Sequence, residues 1–196
     1  MHTVVIASRK GGVGKSTIAA HLAVEAERSG QGKVAVVDTD PQGTLADWWN
    51  VREAEIPRFA AVDPRHMQPH LGGLEAHGIA FAIVDTPPGT GDSVKEAVAC
   101  ADLVLIPCRP SPNDLRAVGS TLDIVESANK PFAFIINAAV PRSTIAQEAL
   151  RMLAQHGKVA PVTLHHRLDF AASMVDGRTA QELSAASKSS DEVTQL

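Results

Sequence analysis

Short apolar, β-branched runs alternate with longer stretches of helical periodicity along this chain of 196 residues. The runs fall at 3–8 (TVVIAS), 33–38 (KVAVVD), 81–85 (FAIVD), 102–107 (DLVLIP), 132–137 (FAFIIN) and 158–164 (KVAPVTL). Helix-length segments occupy 15–29, 43–53, 92–100, 112–127, 143–156 and 178–186, with Asp92 and Ser143 placed as N-terminal caps. Strand-sized apolar runs separated by helices predict βαβ units, hence a single α/β domain: a doubly wound, mostly parallel sheet with helices on both faces. The segment 54–78 resists this reading, because Pro57, Pro64, Pro69 and the Gly72-Gly73 pair interrupt any long element. Only 58–63 (RFAAVD) reads as a short edge strand, and the rest is expected to be irregular. The closing SKSSDEVTQL is polar with no apolar face and is expected to fray, which gives a domain over 1–188 and a polar tail at 189–196.

A hydrophobic content of 44% is enough for a sizeable core. No apolar run approaches the roughly 18 residues needed to span a bilayer, so no membrane partner is expected. Cys100 and Cys108 form neither a CxxC pair nor a ligand cluster, and the N-terminus holds a glycine-rich loop rather than a signal peptide, so a reducing cytoplasm is expected. The net charge of −4 is uneven: residues 1–129 carry 11 Lys/Arg against 16 Asp/Glu, and 130–188 carry 7 against 4. A bound polyanion would therefore be sought in the C-terminal third.

The first run leads into Arg9-Lys10-Gly11-Gly12-Val13-Gly14-Lys15-Ser16-Thr17. Three glycines let successive N–H groups turn toward phosphate oxygens at the start of a helix, Lys15 reaches the β- and γ-phosphates, and Ser16 ligates Mg²⁺. The apolar run ending Ile83-Val84-Asp85 places a second Mg²⁺ group, Asp85, at a strand end. Asp38 and Asp40, in DTDPQG, stand at the C-terminal edge of another strand, where ligands of such sheets bind, although strand-ending aspartates also serve as helix caps. Asn129-Lys130-Pro131-Phe132 lacks the aspartate of a guanine-reading loop, which favours ATP over GTP.

The strict phosphate loop has glycine where this chain has Arg9, and here an extra lysine, Lys10, precedes the glycines. KGGVGKST resembles the deviant Walker A loop of the ParA/MinD ATPases, and DTDPQG, DTPPG, CRPSPND and FAASMVDG extend the resemblance along most of the chain. The resemblance implies that Lys10 reaches a partner subunit's phosphates across an ATP-dependent homodimer. It also implies that Asp40 orients the attacking water, that Asp38 supports the Mg²⁺ shell, and that Asn137 contacts adenine. Each has a plainer alternative: a solvent-facing lysine, helix caps, a turn-forming asparagine. Pro112 and Gly177 read simply as residues that start and stop helices.

Within that family the missing features select a branch. No C-terminal amphipathic basic helix, no iron–sulfur cysteine set and no tyrosine are present. The resemblance then implies a compact DNA-partitioning ATPase, nucleoid-associated, which binds DNA without sequence preference and is stimulated by a centromere-binding protein of ParB or ParG type. Arg142, Arg151, Lys158, Arg167, Arg178 and Lys188 are the candidate phosphate-contacting face, or else solvated surface charges. Two other readings stay open: a positioning ATPase for a non-DNA cargo such as a protein array or microcompartment, and an ATP-dependent small-molecule ligase on the same fold.

Overall fold

Alternate side chains of each strand enter two separate cores, one on either face of a six-stranded sheet, in the computed structural model, which describes residues 1–196. The strands are β1 (His2–Ile6), β2 (Lys33–Asp38), β3 (Arg58–Ala60), β4 (Ile79–Asp85), β5 (Leu103–Cys108) and β6 (Phe132–Ile136), in the order β3-β2-β4-β1-β5-β6 and parallel throughout. Burial on both faces is why these runs are apolar at nearly every position.

One core packs Ile6, Val34, Val36 and Ile83 under α1 (Lys15–Arg28) and α2 (Thr44–Asn50). The other packs Val5, Val37, Val84, Val104 and Phe134 under α3 (Met67–Ala76), α4 (Asp92–Ala99), α5 (Pro112–Ser127) and α6 (Thr144–Leu153). The chain then returns to the first face through α7 (Leu168–Met174), α8 (Ala180–Leu183) and α9 (Lys188–Thr194). From β1 the chain crosses β4 to reach β2, whereas from β4 it crosses β1 to reach β5, so a crevice opens at the C-terminal ends of β1 and β4.

Three expectations are corrected. The segment 54–78 is ordered beyond the expected edge strand, which forms as β3: Asp63 caps a 3₁₀ turn at Pro64–His66 by accepting from Arg65 N at 3.0 Å, and α3 follows. Pro69 lies in the first turn of α3, where its missing N–H has no intrahelical acceptor, and buried Met67 and Leu71 anchor the helix despite its glycines. The run 158–164 forms no strand; Pro161 interrupts it and only isolated bridges, Phe134 to Val159 and Ala139 to His165, remain. The C-terminal segment does not fray: α9 is capped by Ser187, whose Oγ accepts from Ser190 N at 3.1 Å, and it buries Ser189, Ser190, Glu192 and Val193. Its inward face is mostly polar, with Ser189 and Glu192 paired to distant residues, so the sequence shows no apolar stripe there. Smaller shifts include Gly91 rather than Asp92 as the cap of α4, and Ser143 capping α6 without a side-chain bond.

Candidate nucleotide-binding site

The loop between β1 and α1 has two glycines in the left-handed region, Gly12 at φ +72° and Gly14 at φ +89°, the second forming the N-cap of α1. A side chain at Gly14 would be strained, and its Cβ would lie 2.4 Å from Asn137 Nδ2. The loop is braced at its start: Arg9 N donates to Thr121 Oγ1 of α5 at 3.0 Å, Arg9 Nη1 donates to Ser120 Oγ at 2.9 Å, and Arg9 O accepts from Gly89 N at 3.0 Å. The helix start with its free N–H groups is thereby presented as an anion site. Gly11 is exposed, Val13 is buried under the loop, and Ser16 and Thr17 are partly exposed at the first turn of α1.

Lys15 is 7% exposed, and burial lowers its pKa, with Asp85 and Asp40 the nearby negative charges that oppose the shift. Ser16 Oγ donates to Asp85 Oδ2 at 2.5 Å, while Oδ1 of the same carboxylate is buried with no partner. Burial pushes the Asp85 carboxyl up to about 7, with Asp38 and Asp40 adding to the shift and the Ser16 bond and Lys15 opposing it. A hydroxyl, a carboxylate oxygen lacking a partner and a disfavoured negative charge fit a small hard cation. No group of three or more His, Cys, Asp or Glu residues forms a metal cage, so such an ion would take its remaining ligands from phosphate and water.

The in-register pairing of β2 with β4 sets Asp38 beside Asp85. Both Asp38 oxygens hold the following loop: Oδ1 accepts from Asp40 N at 3.0 Å, and Oδ2 from Leu45 N at 3.0 Å and Ala46 N at 2.9 Å. Asp38 therefore holds the first turn of α2, the helix-capping alternative of its sequence motif, from a position beside Asp85. Asp40 Oδ1 accepts from Gln42 N at 2.9 Å, leaving Oδ2 uncommitted. Thr39 donates to Asp85 O from both N (3.0 Å) and Oγ1 (2.7 Å), and Thr86 Oγ1 donates to Ile6 O at 2.8 Å, so the two acidic loops are tied to the strands beneath the phosphate loop. Lys10 is exposed, and only its backbone N–H is engaged, with Ser8 Oγ at 3.3 Å.

Beside the loop lies a cavity of about 190 Å³, walled by Thr17, Ile18 and Leu22 of α1, by Asn137 and Ala138, and by the C-terminal segment. Asn137 Nδ2 donates to Val13 O at 2.6 Å, which leaves its Oδ1 as the acceptor available to a ligand. The apolar walls and few polar groups suit a flat heterocycle next to its phosphates.

Sequence reasoning missed the groups that hold this wall. His21, 2% exposed, contacts Thr17 O through Nδ1 at 2.8 Å, and its Nε2 accepts from Ala180 N at 3.1 Å. That pairing requires the neutral ring protonated on Nδ1, and burial lowers the His21 pKa to about 4. Arg52 donates to Gly177 O at 2.6 Å and forms a fork with Glu182 at 2.8 and 2.5 Å. Only the i, i+3 spacing of Thr179 and Glu182, a capping box, announced any of this in sequence.

The candidate basic face is only partly available. Arg167 is bonded to Glu192 and Arg178 to Asp176, whereas Arg142, Arg151, Lys158 and Lys188 are exposed and form no ion pair.

A family profile described as the CobQ/CobB/MinD/ParA nucleotide binding domain matches residues 4–180. The maintenance of carboxysome distribution protein A of Halothiobacillus neapolitanus is 31% identical, covering 99% of this chain and 94% of that protein. A protein named ParA from Rhizobium radiobacter is 34% identical over 64% of this chain and 56% of its own length. Among solved structures, a Cyanothece McdA variant in complex with ATP superposes with a TM-score of 0.82 at 18% identity, covering 100% of this chain and 94% of that one.

Proposed function

This chain belongs to the CobQ/CobB/MinD/ParA nucleotide-binding family, and from that membership we propose that it is an ATP-hydrolysing positioning switch whose cargo is a protein assembly. The observation that carries the ATPase reading is the arrangement of Ser16, Asp85 and Lys15 under a phosphate loop, with one buried carboxylate oxygen lacking a partner. The cargo reading is supported by the carboxysome-distribution relative, which aligns with nearly the whole chain.

In this reading the N–H groups of Gly11 to Ser16 bind the phosphates, and Lys15 neutralises them in a site where burial strengthens the attraction. Ser16 and Asp85 would hold Mg²⁺, with Asp38 supporting them, and the ion would supply charge neutralisation on the phosphate oxygens. Asp40, with one oxygen fixed by Gln42 N and the other uncommitted, orients the attacking water. Exposed Lys10 extends to the phosphates of a second copy, so ATP assembles a homodimer and hydrolysis releases it. A partner protein accelerates the cycle by ordering the loops after β2 and β4.

DNA partitioning is the second reading, favoured by the unpaired Arg142, Arg151, Lys158 and Lys188 and by the ParA relative. Light scattering and fluorescence anisotropy with random-sequence duplex, each with ATP, ADP and no nucleotide, separate the two. ATP is expected to double the particle mass in wild type and not in Lys10→Ala. DNA affinity is expected to be unchanged by charge reversal at Arg142, Arg151 and Lys158. Strong ATP-gated, salt-sensitive binding that the reversal abolishes would return the assignment to DNA partitioning.

A further inference from the structure

The last helix brings side chains from the C-terminus to the cavity beside the phosphate loop: Val193 and Leu196 line it together with Thr17 and Asn137. That placement depends on Glu192, which is 7% exposed. Its carboxylate accepts from His165 N at 3.0 Å and from Arg167 Nε and Nη2 at 3.0 and 2.5 Å, and pairs with His165 Nδ1 at 2.7 Å. The flanks of the helix are held as well, by Ser189 Oγ donating to Asp169 at 2.9 Å and Thr194 Oγ1 donating to Glu25 of α1 at 2.9 Å. A carboxylate withdrawn this far from water is stable only with its partners in place, so the Arg167 ion pair and the His165 hydrogen bonds fix the helix at one height above the cavity.

We propose that α9 is a wall of the base pocket and that Glu192 is a positioning residue which holds Val193 and Leu196 against the face of a bound purine. The proposal rests on the assignment of the cavity to a nucleotide base. It makes the C-terminal segment a determinant of affinity for the base and leaves the phosphate contacts to the loop.

Calorimetric titration of the full chain with ATP, and separately with inorganic tripolyphosphate, tests this, because tripolyphosphate has the phosphates without the base. Glu192→Ala is expected to weaken ATP about tenfold while tripolyphosphate changes less than about twofold, with Glu192→Gln intermediate. Leu196→Ala, which shortens a partly buried side chain lining the cavity, is expected to weaken ATP about threefold and leave tripolyphosphate unchanged. Unaltered ATP affinity in Leu196→Ala, or equal losses for both ligands, would overturn the proposal. Wild type that binds ATP no more tightly than tripolyphosphate would remove the base site itself, and the nucleotide reading of the cavity with it.

Discussion

At both Asp85 and His21 burial disfavours the charged form, which raises the pKa of the acid and lowers that of the base. At Asp85 the interior opposes a negative charge that a cation would relieve, since one oxygen lacks any partner. Asp85→Asn keeps the shape and the acceptor for Ser16 but removes that charge, and should lower ATP turnover at least about a hundredfold in a phosphate-release assay. Asp40→Ala should slow turnover by a similar factor of about a hundred while ATP affinity, followed by calorimetry, stays within about threefold. His21 is held neutral: its folded pKa is about 4, whereas in the unfolded chain it returns to its ordinary value of 6.5. Between those values the unfolded chain binds the extra proton, so the contribution of His21 to stability is full above pH 6.5 and is lost as pH falls toward 4. Urea unfolding should show roughly 2 kcal/mol lost between pH 7 and pH 5 from this group, and His21→Gln should flatten that slope.

At the scale of elements, stability depends on short helices whose anchors are few. Leu71 is 4% exposed and belongs to one turn of α3, the helix that bridges a segment rich in proline and glycine. Leu71→Ala should cost about 2–4 kcal/mol by chemical denaturation, with the loss concentrated in hydrogen exchange of α3 and β4. Gly177 ends the α7 region at φ +75°, and an added Cβ would lie 2.4 Å from Arg52 Cα, a backbone atom that cannot step aside. Gly177→Ala should destabilise by roughly 2–4 kcal/mol and loosen α8 together with the His21 contact. Pro112 starts α5 as its position in the sequence suggested, with Ser111 ahead of it accepting from Asp114 N at 3.2 Å, whereas the expected side-chain caps Asp92 and Ser143 do not form. α3 and α9 were not readable, because what holds them is long-range: the burial of Met67 against a distant core and the pairing of Glu192 with His165 and Arg167.

Across the whole molecule, the sheet order brings the ends of β1, β2 and β4 together, and the C-terminal segment folds back over α1 to complete a cavity next to them. Nucleotide binding should therefore stabilise the chain as a unit. ATP at about 100 times its Kd adds about 2.7 kcal/mol, which for a chain of this size raises Tm by roughly 5–10 °C, and Lys15→Ala should abolish the shift in a scanning measurement. No helix is long and apolar enough to cross a membrane, in line with the absence of a spanning run in the sequence.

The sequence by itself determined the parallel α/β architecture, the phosphate loop, the acidic strand ends and the family, because each rests on residues adjacent in the chain. Strand periodicity, glycine spacing and a terminal aspartate are local signals that do not need the fold to be recognised. The tertiary structure alone decided the order of the strands in the sheet, that Arg167 is paired with Glu192, and that the C-terminal residues wall a pocket. Those outcomes depend on partners far apart in sequence, such as Glu192 with His165 or His21 with Ala180. A buried polar group takes its role from whatever the packing sets opposite it, and the order of residues along the chain does not specify that neighbour.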